Sequence, residues 1–338
     1  QNTKYKIQDT RYIALLSSFF LAASFWHTNF SRIGFRAILL PFILVFGFYF
    51  LFRGFFKKRA LYLIIAGVFF GLGFYTYISY RMIVLLLPLI LLCWPFYQGK
   101  KKQFLLSLFY FLIPAIIVAL PIGFYFLQNS QDFIGRAAPI SIFAADNPIK
   151  EFGKSLTLHL GMFNLYGDPN WRHNFAGAPM LPWSLGILFL IGFVLLIKYL
   201  INAFKTKNHS LLMVPAFLLP WFFAMLLPGI LTAEGVPHAL RVIGVIPAVY
   251  ILVGLGGWKV YEFLNQNTKK KKLLLVASFL FLLALGASEF NKYFVKWAQN
   301  PNVQGAFTQN FADIGYYLNS LPEAVKKYVI VNEPGAPV

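Results

Sequence analysis

The chain has 338 residues, of which 59% are hydrophobic, 19% aromatic and only 12% charged, with a formal net charge of +19. A soluble domain carries about 25% charged residues, so this composition excludes a water-soluble globule and points to an integral membrane protein. The positive charge does not signal nucleic acid, because it is distributed between apolar segments as orientation signals are.

Nine apolar stretches follow one another, at about 12–26, 37–52, 60–79, 82–98, 104–127, 182–200, 211–231, 240–257 and 273–289. Crossing the hydrocarbon takes about 20 apolar residues, and Gly67, Gly71, Gly73, Pro114, Pro121 and Pro247 are expected to kink helices without breaking them. The spacing therefore predicts an all-α polytopic membrane protein with about nine transmembrane helices. Residues 1–289 form the membrane part, with an external loop at 128–181. Residues 290–338 are read as the truncated start of an external α/β domain, from the helical NFADIGYYLNSLPEA and the strand-like VKKYVIVNEPGAPV.

Fifteen of the 21 lysines lie in every second connection, for example Lys57 with Lys58, Lys100 to Lys102 and Lys269 to Lys272. The positive-inside rule makes these connections cytoplasmic. Segments 27–36, 80–81, 128–181, 232–239 and everything after about 290 are then external, and the expected location is the cell (plasma or inner) membrane.

The arginines sort the other way. Six of nine, Arg32, Arg36, Arg81, Arg136, Arg172 and Arg241, fall on the expected outer side. Arginine presents a rigid fork of donors that matches phosphate oxygens, so a ring of arginines at the boundary suits a lipid-linked phosphate. Against this, each arginine alone could snorkel or pair with an acid.

In HTNFSRIGFRAILLP, Arg32 and Arg36 are one helical turn apart. In GFYTYISYR, Arg81 follows Tyr75, Tyr77 and Tyr80, which also fit an aromatic interface belt. Within 128–181, Asn147 and Pro148 open a helix with Ile149, Phe152, Leu156, Leu160 and Phe163 on one face. Lys150, Glu151, Lys154 and Ser155 lie opposite, the pattern of an amphipathic helix on the membrane surface. In NLYGDPNWRHNFAGAPMLPW, Asp168 and His173 could serve as a base or as metal ligands, or Asp168 could close an Asx turn. In TAEGVPHALRVIG a helix is expected to start near Pro237, so that His238, Arg241 and the helix N-terminus form one anion site, with Glu234 beside it. Cys93 lies in the fourth stretch and reads as a buried structural thiol.

SRIGFR, GFYTYISYR, GDPNWRHNFAGAPMLPW and EGVPHALRVIGVIPAVY, in this order and on one side, resemble the membrane glycosyltransferases of the GT-C superfamily. The resemblance covers about residues 10–290 and is nearest the branch of protein O-mannosyltransferases and lipid A aminoarabinose transferase. It implies transfer of a sugar from a polyprenyl-phosphate donor to a protein, lipid or glycan acceptor at the external face. It further implies that Arg241 and His238 hold the donor phosphate, with Arg32, Arg81, Glu234, Arg172, His173 and Tyr77 as further substrate contacts. Asp168 is the candidate base within this chain, and a divalent metal ion is left open as cofactor.

The chain departs from the family in lacking its acidic residue in the first external loop. That residue is expected upstream of residue 1, in which case this fragment alone is inactive. Some relatives carry an acid where Arg36 stands, which leaves the role of Arg36 open. The competing readings are a lipid-linked oligosaccharide ligase or polymerase, and a polytopic lipid transporter or flippase. A transporter calls for polar residues at mid-membrane depth, and here polarity concentrates at the outer rim.

Overall fold

The computed structural model describes residues 2–135 and 137–329, and the described residues contain no β-strand. Each of the nine apolar stretches overlaps a helix. In chain order these are α1 (Asn2–Ala23), α2 (Phe25–Ile33), α3 (Leu39–Lys57), α4 (Ala60–Gly73), a 3-10 helix (Ile78–Tyr97), α5 (Lys101–Gln128), α6 (Ser130–Ile134), α7 (Pro148–Gly161), α8 (Trp183–Thr206), α9 (His209–Ile230), α10 (Ile246–Asn267) and α11 (Lys271–Phe290). A π-helical segment Asn291–Trp297, α12 (Pro301–Ala306) and α13 (Gln309–Ser320) complete the chain.

Seven of these segments are long and apolar enough to cross a membrane, which identifies a membrane protein. An eighth is reached if α1 and α2 form one span bent by 56°. With 14 residues, α4 is shorter than a span, so nine full crossings are not supported. The bend after α1 is stabilised from two sides. Ser24 caps α2 by accepting from the His27 amide at 3.2 Å, and the buried Glu289 accepts the Phe25 amide at 2.9 Å.

Packing follows from where the glycines are. A Cβ on Gly192 would stand 2.0 Å from the Leu252 carbonyl oxygen, and one on Gly256 2.0 Å from that of Leu188. The backbones of α8 and α10 therefore touch, as small residues allow between membrane helices. The span Ile243–Asn267 has 72% of its apolar window buried, whereas Lys101–Gln128 and Lys271–Trp297 each have 11%. Thus α10 is the axis of the bundle, and α5 and α11 keep apolar faces free for lipid.

The helices alternate in direction, which separates two ends. One end collects the lysine-rich connections after α3, the 3-10 helix, α8 and α10. The other collects Arg36, residues 74–82, the 129–182 segment and the connection after α9. At this second end α7 forms as expected, with the Asn147 side chain accepting from the Lys150 amide at 3.0 Å. Ile149 and Leu160 are exposed, but Ser155, placed on the polar face by the sequence, is buried with His159 against Gly229 of α9.

Two expectations are corrected. The α/β domain expected after residue 290 is not supported: among the described residues this segment holds short helices up to Ser320 and no strand up to residue 329, and the greater part of the strand-like run, 330–338, lies outside the described residues. Nor does a helix start at Pro237. Residues 232–242 form a turn-rich connection, and regular structure resumes only at Ile243.

Candidate functional site

The connection 231–242 is shaped by hydrogen bonds from other parts of the chain. The Ile142 amide donates to the Leu231 carbonyl at 3.1 Å, and the Ala233 amide to that of Ile140 at 2.9 Å. Ser141 and Thr232 form an antiparallel bridge. Further along, the Ala239 amide donates to Asp168 Oδ2 at 2.7 Å and the His238 amide to His159 Nε2 at 3.2 Å. These partners outcompete the i to i+4 ladder that an isolated EGVPHALR segment would make, which is why no helix forms there.

Asp168 closes the Asx turn considered above, its Oδ1 accepting from the Asn170 amide at 2.8 Å. Its Oδ2 meets His173 Nδ1 at 3.1 Å and lies 3.8 Å from His238 Nδ1. The loop is held from behind by Asn174 Nδ2, which donates to the Asp168 and Ala178 carbonyls at 3.3 and 2.6 Å. Asn29 Nδ2 and Trp297 Nε1 add bonds to the Arg172 and Trp171 carbonyls, both at 2.9 Å. With 1% exposure, Asp168 is buried, and it touches the cavity-lining His173 and His238 without lining the cavity itself.

His173 and His238 lie tilted against each other, with ring centroids 4.8 Å apart and planes at 39°, and both border a cavity of about 1440 Å³. That is larger than the roughly 300–1,000 Å³ of ordinary small-molecule pockets and suits a bulky amphiphile. Arg36, Arg81 and Arg241 line the same cavity. Arg241 is half-buried; its Nη1 donates to Thr232 Oγ1 at 2.9 Å and to the Glu234 carbonyl at 2.5 Å, while Ser79 Oγ donates to its carbonyl at 2.7 Å. Arg81 donates to the Phe133 carbonyl at 2.5 Å and stacks 3.8 Å above the Phe133 ring. The hydrogen bonds that aim the Arg81 and Arg241 guanidinium groups thus come from neutral partners, while the Glu234 and Asp168 carboxylates act on Arg241 only through space.

Burial dominates the electrostatics. It pushes His238 down to about 3 and His159 to about 4, with the Arg241 charge acting in the same direction, so both imidazoles are neutral near pH 7. Burial also raises Tyr77, although Arg241 and Arg36 oppose this, and it lowers Arg241.

Of the residues singled out by sequence, Asp168, His173, His238, Arg241, Arg81 and Tyr77 converge here. Three do not. The Arg32 guanidinium lies 5.0 Å from the Phe294 ring, and that of Arg172 between Phe35 and Phe307 at 5.5 and 5.6 Å. Glu234 is exposed and does not line the cavity; its backbone carbonyl accepts from Arg241, and its charge acts on Arg241 through space. Arg136 lies outside the described residues. Sequence reasoning missed His159, Thr232 and Asp132, which sits on α6 at the cavity wall and accepts from Tyr125 Oη. It also left open Arg36, which the cavity includes. The signal for Arg36 was present in its spacing from Arg32; for His159 there was none.

Compared with family models, curated proteins and solved structures, the chain matches none.

Proposed function

We propose that the protein is a membrane glycosyltransferase that takes a sugar from a polyprenyl-phosphate donor and passes it to an acceptor at the external face. The observation that carries this reading is the convergence of Arg36, Arg81 and Arg241 on one large cavity that also has an apolar wall, formed by Ala119, Ile122 and Phe126 of α5. A lipid phosphate has this same division between an anionic head and an apolar tail. The order of the four motifs that resemble the GT-C superfamily supports the same reading.

In such a transfer the acceptor oxygen bonds to the anomeric carbon, the bond from that carbon to the phosphate oxygen breaks with its electron pair leaving on the phosphate, and the acceptor's hydroxyl proton passes, directly or by way of a base, to the departing phosphate. Fixed guanidinium groups stabilise the charge that develops on this leaving group. Because neutral groups hold Arg81 and Arg241, they need no reorganisation when the phosphate arrives. His238, neutral and beside Arg241, offers a hydrogen bond without adding charge. A ligase or polymerase would use the same donor site and differ in its acceptor.

Binding of undecaprenyl phosphate and of undecaprenol to the protein in nanodiscs tests the reading. The phosphate should bind more tightly than the alcohol, and Arg241→Ala or Arg81→Ala should each reduce that preference about 10-fold or more, the scale of a charge-assisted hydrogen bond. Equal binding of the two lipids, or a preference untouched by both substitutions, rules the donor site out.

A further inference from the structure

Asp168 and His173 come from the loop after α7, and His238 from the connection after α9, yet both imidazole Nδ1 atoms turn toward one carboxylate oxygen. The three atoms lie within 4.8 Å of one another. Donors around a tetrahedral zinc ion at about 2.0–2.1 Å stand about 3.4 Å apart, so the observed separations of 3.1 and 3.8 Å bracket that spacing.

Hydrogen bonding alone leaves the cluster incomplete. Oδ2 already accepts from the Ala239 amide and from His173. His238 Nδ1 accepts the Arg241 amide only at the long distance of 3.4 Å and stands 3.8 Å from Oδ2, beyond hydrogen-bond reach. A cation seated among the three atoms would replace these long contacts with direct bonds. The surroundings are also those of a ligand set, since the Asn170 and Ala239 amides orient the carboxylate from outside.

We propose that Asp168 Oδ2, His173 Nδ1 and His238 Nδ1 form a binding site for one divalent transition-metal ion of the zinc class, with its open position toward the arginine-lined cavity. Two imidazole nitrogens and one carboxylate oxygen suit zinc or its first-row neighbours. Magnesium and calcium prefer all-oxygen shells. Both imidazoles bind through a lone pair on Nδ1, so His173 gives up its Nδ1 proton on binding. The guanidinium of Arg241 is directed toward Thr232 and the Glu234 carbonyl and not into a hydrogen bond with the carboxylate. When bound, the ion offers one Lewis-acid position to an oxyanion in the cavity. The site stands on ligand geometry and is independent of the lipid-phosphate reading.

Metal content decides the matter. The full chain is purified in detergent, stripped with a chelator, equilibrated with zinc chloride or magnesium chloride, desalted and assayed by elemental mass spectrometry alongside thermal unfolding. The wild type should retain about one zinc per chain, unfold at higher temperature with zinc than without, and retain no magnesium. His173→Asn, His238→Asn and Asp168→Asn should each retain less than about a tenth of that zinc, whereas His209→Ala, at the opposite end of the bundle, should retain all of it. Substitution with cobalt gives a second measurement, because its visible spectrum reports imidazole and carboxylate coordination even in a variant of reduced stability. Zinc retention by the wild type no greater than by Asp168→Asn, or full retention by His173→Asn and His238→Asn, overturns the proposal. Neither outcome bears on the preference for undecaprenyl phosphate, so the two readings fail separately.

Discussion

His159 Nε2 accepts the backbone amide of His238 across 79 residues of sequence, at 3.2 Å. The same ring packs against Gly229, where a Cβ would stand 2.4 Å from Nε2, and its Nδ1 donates to the Ser155 carbonyl at 2.8 Å. One fully buried imidazole thereby couples α7, α9 and the connection that carries His238 and Arg241.

Gly229→Ala should displace this ring and leave the His238 amide unpaired, at a cost of about 1–3 kcal/mol. The expected signature is a lower unfolding temperature together with faster amide exchange at residues 236–241. Exchange unchanged from the wild type would show that His159 does not hold the connection.

Acid should destabilise the metal-free protein. In the unfolded chain His159 titrates near 6.5, while in the folded chain it stays neutral to about 4, and His238 behaves alike to about 3. The unfolded state therefore binds protons that the folded state refuses. Stability present above about pH 6.5 is lost as pH falls, by about 2 kcal/mol per histidine at pH 5. Denaturation measured between pH 7.5 and 5 should show this loss, reduced in His159→Gln. A flat profile would contradict neutral burial.

Gly192→Ala and Gly256→Ala should each force α8 and α10 apart, since the added carbon would stand 2.0 Å from a carbonyl oxygen of the facing helix. Overpacking of this kind costs about 1–3 kcal/mol or more. Gly286→Ala, with open space around it, is the matched control on α11 and should unfold like the wild type. Equal unfolding temperatures for all three would exclude the close approach.

The helices were readable because a lipid solvent leaves little choice. A run of about 20 apolar residues must satisfy its own backbone, so the nine apolar stretches became helices. Asn147 announced α7 for an equally local reason, since its side chain reaches an amide three residues on. Capture by aromatic rings was not readable. Arg32 and Arg81 both end a tyrosine- or phenylalanine-rich stretch at the same end of the bundle, yet Arg32 rests on Phe294, 262 residues away and outside the cavity, whereas the ring that takes Arg81, Phe133, lines the cavity with it. The polar face of α7 misled for a related reason: Ser155 bonds the Gly229 carbonyl at 3.2 Å and is buried by that contact.

By itself, then, the sequence determined the class of protein, the helical segments and the separation of lysines from arginines, because each depends on contact with lipid or on neighbours within one turn. Only the tertiary structure decided which polar residues share a site. Residues 232–242 carry local signals for a helix start, and those signals lose to amide partners supplied by Asp168, His159 and Ile140. Long-range hydrogen bonds in a buried, low-dielectric setting outweigh the local preference of eleven residues. The helix terminus expected at Pro237 is thereby replaced with a cluster of Asp168, His173 and His238 beside Arg241.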